Sequence, residues 1–360
     1  MKKKIKIALM GFGRIAKKHI IGINKNKDFQ IVGIAEKDFS KIDHQIKKKY
    51  KVYKNIEQLI RFEEPDIVSI LTESGNHYKD AKLISNFNCH VIVEKPLALK
   101  KDEAKELIKI FKKKNKKLFV VMQNRFNPPI LALKNAVEKK LFSKITMGTV
   151  RLRWCRDQDY YDQADWRGTW DYDGGVLGNQ AVHYIDMLLW MMGEVKSVQA
   201  LSKRYFIKNE TDDLTVAILE FKSGAVGLVE AMNVVRPSNL EGSISILGKK
   251  GSVEISGKSL NEIRHWTIKK LPKVNYSPLN DKSKKNDIYG EGHISFYKSV
   301  IDTLKYKSKN YISGLQGFKS IEVVNAIYSS FALKKKITLP FKYDYKFVKK
   351  KLIYELNKKN

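Results

Sequence analysis

The run Ile5-Lys6-Ile7-Ala8-Leu9-Met10 passes without a break into Gly11-Phe12-Gly13-Arg14-Ile15-Ala16. An apolar, strand-length segment followed at once by G-x-G-x-x-A fits few folds. The first glycine allows a tight turn, the second lets a pyrophosphate approach the backbone, and the small Ala16 lets a helix pack closely on the strand. The pattern predicts a helix to about residue 24 and a second strand over residues 30–35, ending at Glu36. Glu36 stands 20 residues after Ala16, where a carboxylate meets the adenosine ribose. A carboxylate there repels a 2′-phosphate, so NAD is expected rather than NADP, although Lys37 adjoins it.

The alternation continues. Residues 66–72 and 91–93 read as buried strands, residues 101–114 as a helix and residues 118–122 as a closing strand. Strands and helices in strict alternation predict a doubly wound parallel sheet of Rossmann type. Ligands bind such sheets at the carboxyl ends of the strands. Glu94-Lys95-Pro96 occupies such an end, and Pro96 forces the chain to turn, so Lys95 is aimed in a chain full of solvated lysines. Gly11, Phe12, Gly13, Arg14, Ile15, Glu36, Thr72, Ser74, His77, Glu94 and Lys95 are the expected cofactor-lining residues. For His77, capping or packing the loop helix is the alternative role.

The formal charge of +31 invites a nucleic-acid reading. The composition argues against it. Of 69 basic residues only ten are arginine, the side chain suited to bidentate phosphate recognition. The lysines run through the whole length, and no nucleic-acid-binding motif appears. Five of the ten arginines, Arg125, Arg151, Arg153, Arg156 and Arg167, fall within 43 residues. Either they build a site or, for Arg151 and Arg153, they make ion pairs on one face of a strand. Cys89 and Cys155 lack metal-ligand spacing, which fits a reducing cytoplasm. The apolar stretch over residues 182–192 contains His183 and Asp186 and is too short to span a bilayer. The apolar part of the N-terminus is one strand long, so a signal peptide is not expected, nor is a metal or membrane partner.

Beyond residue 123 the texture changes. Residues 146–154, 195–202, 213–221, 225–233, 241–247 and 251–255 read as strands joined by hairpin-type turns, and 292–305 and 315–331 as helices. The expected fold class is therefore α/β: an N-terminal Rossmann domain, 1–122, and a C-terminal α+β domain, 123–345, with a large open, mostly antiparallel sheet. Residues 346–360 form a lysine-rich tail. The last helices are expected to return to the first domain, and the open sheet to make a homodimer or homotetramer. The other reactive string runs from Asp173-Gly174-Gly175 to His183 and Asp186. Asn179 and His183 are spaced i, i+4 on one α-helical face, and Asp186 could orient the imidazole one turn later.

These three strings, in this order and spacing, resemble the glucose-fructose oxidoreductase / inositol dehydrogenase (Gfo/Idh/MocA) family over essentially the whole chain. Gln123-Asn124-Arg125-Phe126-Asn127-Pro128, Trp166-Arg167-Gly168-Thr169-Trp170, Arg236-Pro237, Leu240-Glu241-Gly242-Ser243 and Tyr289-Gly290 with Gly292-His293 resemble the branch that oxidises the 3-hydroxyl of UDP-N-acetylated sugars. The resemblance implies Lys95, His183 and Asn179 as catalytic residues, and Gln123, Arg125, Tyr161, Trp166, Arg167, Asn179 and His183 at the substrate, with Arg156 and Tyr160 as further candidates. It implies a nucleotide-sugar substrate, a role in surface polysaccharide synthesis and 2-oxoglutarate as a possible reoxidant of the cofactor. His183 would be the base and Lys95 its partner on the sugar hydroxyl, or the reverse. Two departures stand out: Asn179 where some branches carry Asp, and Val176 where many have a third glycine. A free-polyol dehydrogenase of the inositol type and a non-catalytic dinucleotide-binding regulator are the alternatives.

Overall fold

The computed structural model describes residues 3–257, 259–269 and 292–358. Its first part contains β1 (Ile5–Met10), α1 (Ala16–Asn24), β2 (Phe29–Ala35), α2 (His44–Lys49), β3 (Val52–Tyr53), α3 (Ile56–Glu63), β4 (Ile67–Ile70), α4 (His77–Ile84), β5 (His90–Val93), α5 (Lys101–Lys113) and β6 (Leu118–Val120). There follow α6 (Pro128–Glu138), β7 (Ile145–Arg153), α7 (Gln158–Asp162), α8 (Val182–Met192), β8 (Val195–Lys203), β9 (Leu214–Phe221), β10 (Val226–Met232), β11 (Glu241–Gly248), β12 (Gly251–Ser256) and β13 (Glu262–Ile268). Last come α9 (Gly292–Tyr306), α10 (Gly314–Leu333), β14 (Ile337–Thr338) and α11 (Tyr345–Asn357). The chain divides into two compact units, residues 1–123 with 291–318, and residues 124–290 with 319–360.

The first unit holds a six-stranded, wholly parallel sheet in the order β3-β2-β1-β4-β5-β6. This is the doubly wound order. Its inner strands β4 and β5 are buried almost throughout, which is why they read as continuous apolar runs. The covering helices are amphipathic. In α5, Ala104, Leu107 and Phe111 form the buried stripe, while Asp102 and Glu103 in the first turn and Lys112 and Lys113 in the last complement the helix dipole. The late helix α9 belongs to this unit and lies against α1. A Cβ on Gly22 would stand 3.0 Å from the Tyr297 ring and 3.2 Å from the His293 backbone, so the close approach needs glycine.

The second unit holds an eight-stranded sheet in the order β13-β12-β11-β7-β10-β9-β8-β14. All pairs are antiparallel except β7 with β10. One face packs on α8, α10 and α11 around Leu152, Leu219, Phe221, Val229, Ile244 and Ile255. The other face alternates outward and carries a charge ladder. Arg153 donates to both oxygens of Glu230 at 2.6 and 2.8 Å, and Glu241 accepts from Arg153 at 3.0 Å and from Arg151 at 3.4 Å. Of the two readings of Arg151 and Arg153, the structure shows the ion pairs. The lysine-rich residues after 345 are mostly helix, because Val348, Leu352 and Leu356 recur every fourth position and pack into the core.

Candidate functional site

In the first unit the glycine turn is built as its sequence requires. Gly11 has φ +94°, and a Cβ there would lie 3.0 Å from the Leu71 carbonyl. Gly13 is different: no protein atom lies within 4 Å of where its Cβ would be. Packing gives no reason for glycine at 13, whereas a pyrophosphate passing that point does. Behind it, α1 starts with no side-chain cap and no acid in its first turn, leaving its N–H groups for an anion. Glu36 stands beside the turn, accepting from the Phe12 N–H at 2.7 Å and from the Asp38 N–H at 3.0 Å. These features fit a dinucleotide, with Gly11 to Ile15 at the pyrophosphate and Glu36 at the ribose.

The ends of β4 and β5 carry the other expected cofactor residues. Thr72 donates its hydroxyl to Asp80 at 2.6 Å, and Ser74 is buried in the short turn Ser74–Asn76. His77 is buried, with Nδ1 2.6 Å from the Pro96 carbonyl and Nε2 3.0 Å from the Thr72 carbonyl. It thus ties the β4 loop to the turn that follows Lys95. The Lys95 N–H donates to Glu94 Oε2 at 3.0 Å, and Glu94 Oε1 lies 2.8 Å from His19 Nε2. Burial pushes the Glu94 carboxyl upward, but its hydrogen bond with His19 and the imidazole of His293 nearby prevail and hold it well below the usual carboxylate range. Gln123 ends this unit, and its carbonyl would lie 2.2 Å from a Cβ on Gly292, which accounts for glycine there. Tyr289 and Gly290 of the same string lie outside the described residues.

In the second unit the Asp173-Gly174-Gly175 string enters a helix as expected, but not an ordinary one. Residues Val176–Ala181 form a π-helical turn before α8 begins. The i, i+4 rule that stacks Asn179 under His183 assumes α-helical pitch and does not hold across this wider turn. Such turns concentrate at functional sites. Asn179 is held by a bond from its amide to Asp173 Oδ1, and Asp173 Oδ2 accepts from the Gly168 N–H at 2.7 Å. His183 is buried in the first turn of α8. Asp186, expected to orient that imidazole, grips Arg125: Arg125 Nε and Nη2 donate to its two oxygens at 2.6 and 2.7 Å, and Ser320 donates at 3.1 Å. Arg125, expected at the substrate, is thus buried in a bidentate pair.

The π turn is anchored by residues that carry no sequence motif. Asp212 Oδ1 accepts from the Val176 N–H at 3.2 Å and from the Tyr328 hydroxyl at 2.9 Å, and the Leu177 N–H donates to Tyr328 at 3.0 Å. Thr215 donates to Asp212 Oδ2 at 2.5 Å. A Cβ on Gly175, whose φ is +73°, would sit 2.4 Å from both Asp212 Oδ1 and the Tyr328 hydroxyl. Burial pushes the Asp212 carboxyl up to about 7. Only the neighbouring pair Asp212-Asp213 hinted at this, and a pair of acids before a strand is too common to read.

Three arginines of this unit form a cluster. The Arg167 guanidinium lies 4.4 Å from the Tyr160 ring centre and 4.6 Å from that of Trp166, and Arg156 lies 4.8 Å from Trp154 and 5.1 Å from Tyr160. Tyr160 accepts from Arg167 Nη1 at 2.5 Å and from Gln180 at 3.0 Å. Arg236 donates to backbone carbonyls, including that of Arg156 at 3.1 Å. Among the described residues no carboxylate pairs with Arg156, Arg167 or Arg236, and the buried Nε atoms of Arg156 and Arg167 have no hydrogen-bond partner. Arg156 and Arg167 share the Tyr160 ring, while Arg236 lies 5.8 Å from the Phe206 ring centre. Tyr161 turns inward, buried, and accepts from Asn233 at 2.8 Å.

A parallel doubly wound sheet with a glycine turn open to a pyrophosphate, followed by a mostly antiparallel second unit, defines an NAD-dependent oxidoreductase. Residues 5–122 match the oxidoreductase family's NAD-binding Rossmann fold and residues 134–339 its C-terminal alpha/beta domain, and the chain belongs to this Gfo/Idh/MocA family. It is similar to the WlbA dehydrogenase of Chromobacterium violaceum, solved in complex with NADH and UDP-GlcNAcA: 35% identity over 95% of this chain and 98% of that one, TM-score 0.87. Inositol 2-dehydrogenase of Rhizobium meliloti is 23% identical over 93% of this chain and 99% of its own length. The match to levoglucosan dehydrogenase of Pseudarthrobacter phenanthrenivorans, 26% identical, spans 56% of this chain and 58% of that relative. No described helix is long and apolar enough to cross a membrane.

Proposed function

We propose that this enzyme oxidises the 3-hydroxyl of a UDP-N-acetylated hexosaminuronate, of the UDP-N-acetylglucosaminuronate type, to the 3-keto sugar. The observation that carries this reading is the cluster in which Arg156 and Arg167 flank Tyr160 and Arg236 joins through the Arg156 carbonyl, without a carboxylate among the described residues. Such a substrate brings a diphosphate and a uronate, which planar guanidinium forks match. A free polyol brings no anion to face these guanidinium charges. The similarity to a dehydrogenase solved with UDP-GlcNAcA supports the same choice.

Bound NAD supplies the hydride acceptor for the sugar C3–H bond. His183 takes the hydroxyl proton, and Lys95 donates a hydrogen bond to the same oxygen as charge develops on it. Asn179, fixed by Asp173, orients the sugar. A small oxo acid such as 2-oxoglutarate would serve as the oxidant for repeated turnover, and the ketone suits a following amination in surface polysaccharide synthesis.

Purified protein supplied with NAD and UDP-N-acetylglucosaminuronate is expected to yield reduced nicotinamide and a keto product by mass spectrometry, with 2-oxoglutarate allowing repeated turnover. The Arg167→Ala variant is expected to raise KM for the nucleotide sugar by at least about tenfold, on the order of 1.5–3 kcal/mol for a charged hydrogen bond. Turnover of myo-inositol with none of the nucleotide sugar would instead establish the polyol reading.

A further inference from the structure

One buried cluster of the first unit has no place in that chemistry. His19 of α1, Glu94 at the end of β5, and His293 and Tyr297 of α9 meet around one carboxylate, all of them buried. Two imidazoles and a carboxylate invite a metal reading. The spacing opposes it: His19 Nε2 lies 2.8 Å from Glu94 Oε1, a hydrogen-bond length, while His293 Nε2 lies 3.9 Å from the same oxygen. Ligands at about 2.1 Å from one tetrahedral zinc stand roughly 3.4 Å apart.

The polar contacts instead form a chain with a single direction. Burial lowers the affinity of His19 for a second proton, outweighing its bond with Glu94. A neutral ring that donates Nε2–H to Glu94 leaves Nδ1 as an acceptor. Tyr297 can then donate to Nδ1 at 2.7 Å, and Ser69 of β4 to the Tyr297 oxygen at 3.3 Å. At the other end, Glu94 Oε2 accepts the Lys95 N–H at 3.0 Å. Each donor in this chain has an acceptor. It runs from the helix that follows the glycine turn to the peptide that carries Lys95.

We propose that His19 is a positioning residue: through Glu94 it fixes the backbone of Lys95 relative to the dinucleotide-binding helix. The proposal rests on the role given to Lys95 above. Removing the imidazole leaves a buried carboxylate short of a donor, and the peptide it restrains gains freedom. A misplacement of about 1 Å at a reacting group costs on the order of 100-fold.

The test uses the full-length enzyme loaded with NAD and UDP-N-acetylglucosaminuronate. His19→Leu is expected to lower kcat about 100-fold while KM for the sugar and NAD affinity stay within about twofold. His19→Gln, whose amide places a donor near the Nε2 position, is expected to recover most of the loss. In a Lys95→Met background His19→Leu should add no further loss, since both act through one group. If His19→Leu does not fold, Tyr297→Phe carries the test, with an expected loss in kcat of about tenfold at unchanged KM. Unchanged kcat in the folded variant, or losses that multiply with Lys95→Met, would overturn the inference alone. Full turnover in Lys95→Met would overturn the role of Lys95 and this inference with it.

Discussion

Glu94 and Asp212 are both buried carboxylates, one in each unit and each beneath an element expected to carry chemistry. Their protonation is pushed in opposite directions. Burial raises both, but Glu94 faces the imidazoles of His19 and His293 and receives the Lys95 N–H, and it is held well below the usual range. Asp212 receives only the neutral donors of Thr215, Tyr328 and Val176, has Asp213 as its neighbour, and rises to about 7. Equal burial therefore does not set a carboxylate's charge; the partners do. Below Lys95 the fold keeps a fixed anion. Below the π turn that leads to His183 it keeps a carboxyl that can carry a proton near neutrality.

The two halves can be set against each other experimentally. The largest effect is expected from the chemistry: His183→Ala should lower kcat between about 100- and 10,000-fold, the range for a general base, with nucleotide-sugar affinity retained in an equilibrium binding assay. Next come the two carboxylates. Because the folded-state value of Asp212 is raised from 3.8 to about 7, the stability linked to its proton is fully present below pH ~4 and lost as pH rises through ~7. The Asp212→Asn variant should lose that slope, on the order of 4 kcal/mol between those limits, in urea titrations at several pH values. Glu94 has the opposite sign. Its contribution is present above the ordinary glutamate range and lost as pH falls through its depressed value, so Glu94→Gln should flatten only the acid limb. A common slope in both variants would break the comparison.

Two glycines sharpen it further. Gly175→Ala drives a methyl into Asp212 and Tyr328 at positive φ and should cost about 2–4 kcal/mol of stability by denaturant titration. Gly13→Ala meets no protein atom and should leave stability within about 0.5–1 kcal/mol while weakening NAD binding in a titration. The smallest effect on the fold itself is expected at the outer face of the second sheet, where Leu201 and Ile218 are 55% and 58% exposed. We propose this face as the contact between copies of the chain. Ile218→Lys should then lower the mass seen by light scattering with little change in the protomer's secondary structure.

Much of the first unit was legible because its signals are local. Strand, glycine turn and helix are contiguous, and the buried strands between residues 67 and 120 are unbroken apolar runs. The six main strands of the second unit announced themselves by alternation and turns. Short helices such as α2 and α7, the half-exposed edge strand β13 and the lysine-masked stripe of α11 did not, since in each the apolar signal is brief or diluted by charge. At the site, the sequence pointed to Arg167 and the glycine entry. It did not foresee the pair of Asp186 with Arg125, and it assumed α-helical pitch where the turn is π-helical.

The sequence by itself determined the Rossmann unit and the antiparallel second unit, and it marked Glu36, Lys95 and His183 as candidates, because each of these readings rests on neighbours within a turn or a strand. Tertiary structure alone decided which arginines are neutralised by Glu230, Glu241 and Asp186 and which are left around Tyr160. It also decided which buried carboxylate keeps its charge. Those outcomes depend on partners far along the chain: His19 lies 75 residues from Glu94 and 278 from Tyr297, and Asp212 lies 116 from Tyr328. Charge and protonation in a low-dielectric interior follow from what stands within a hydrogen bond's length, and only the folded chain brings those groups together.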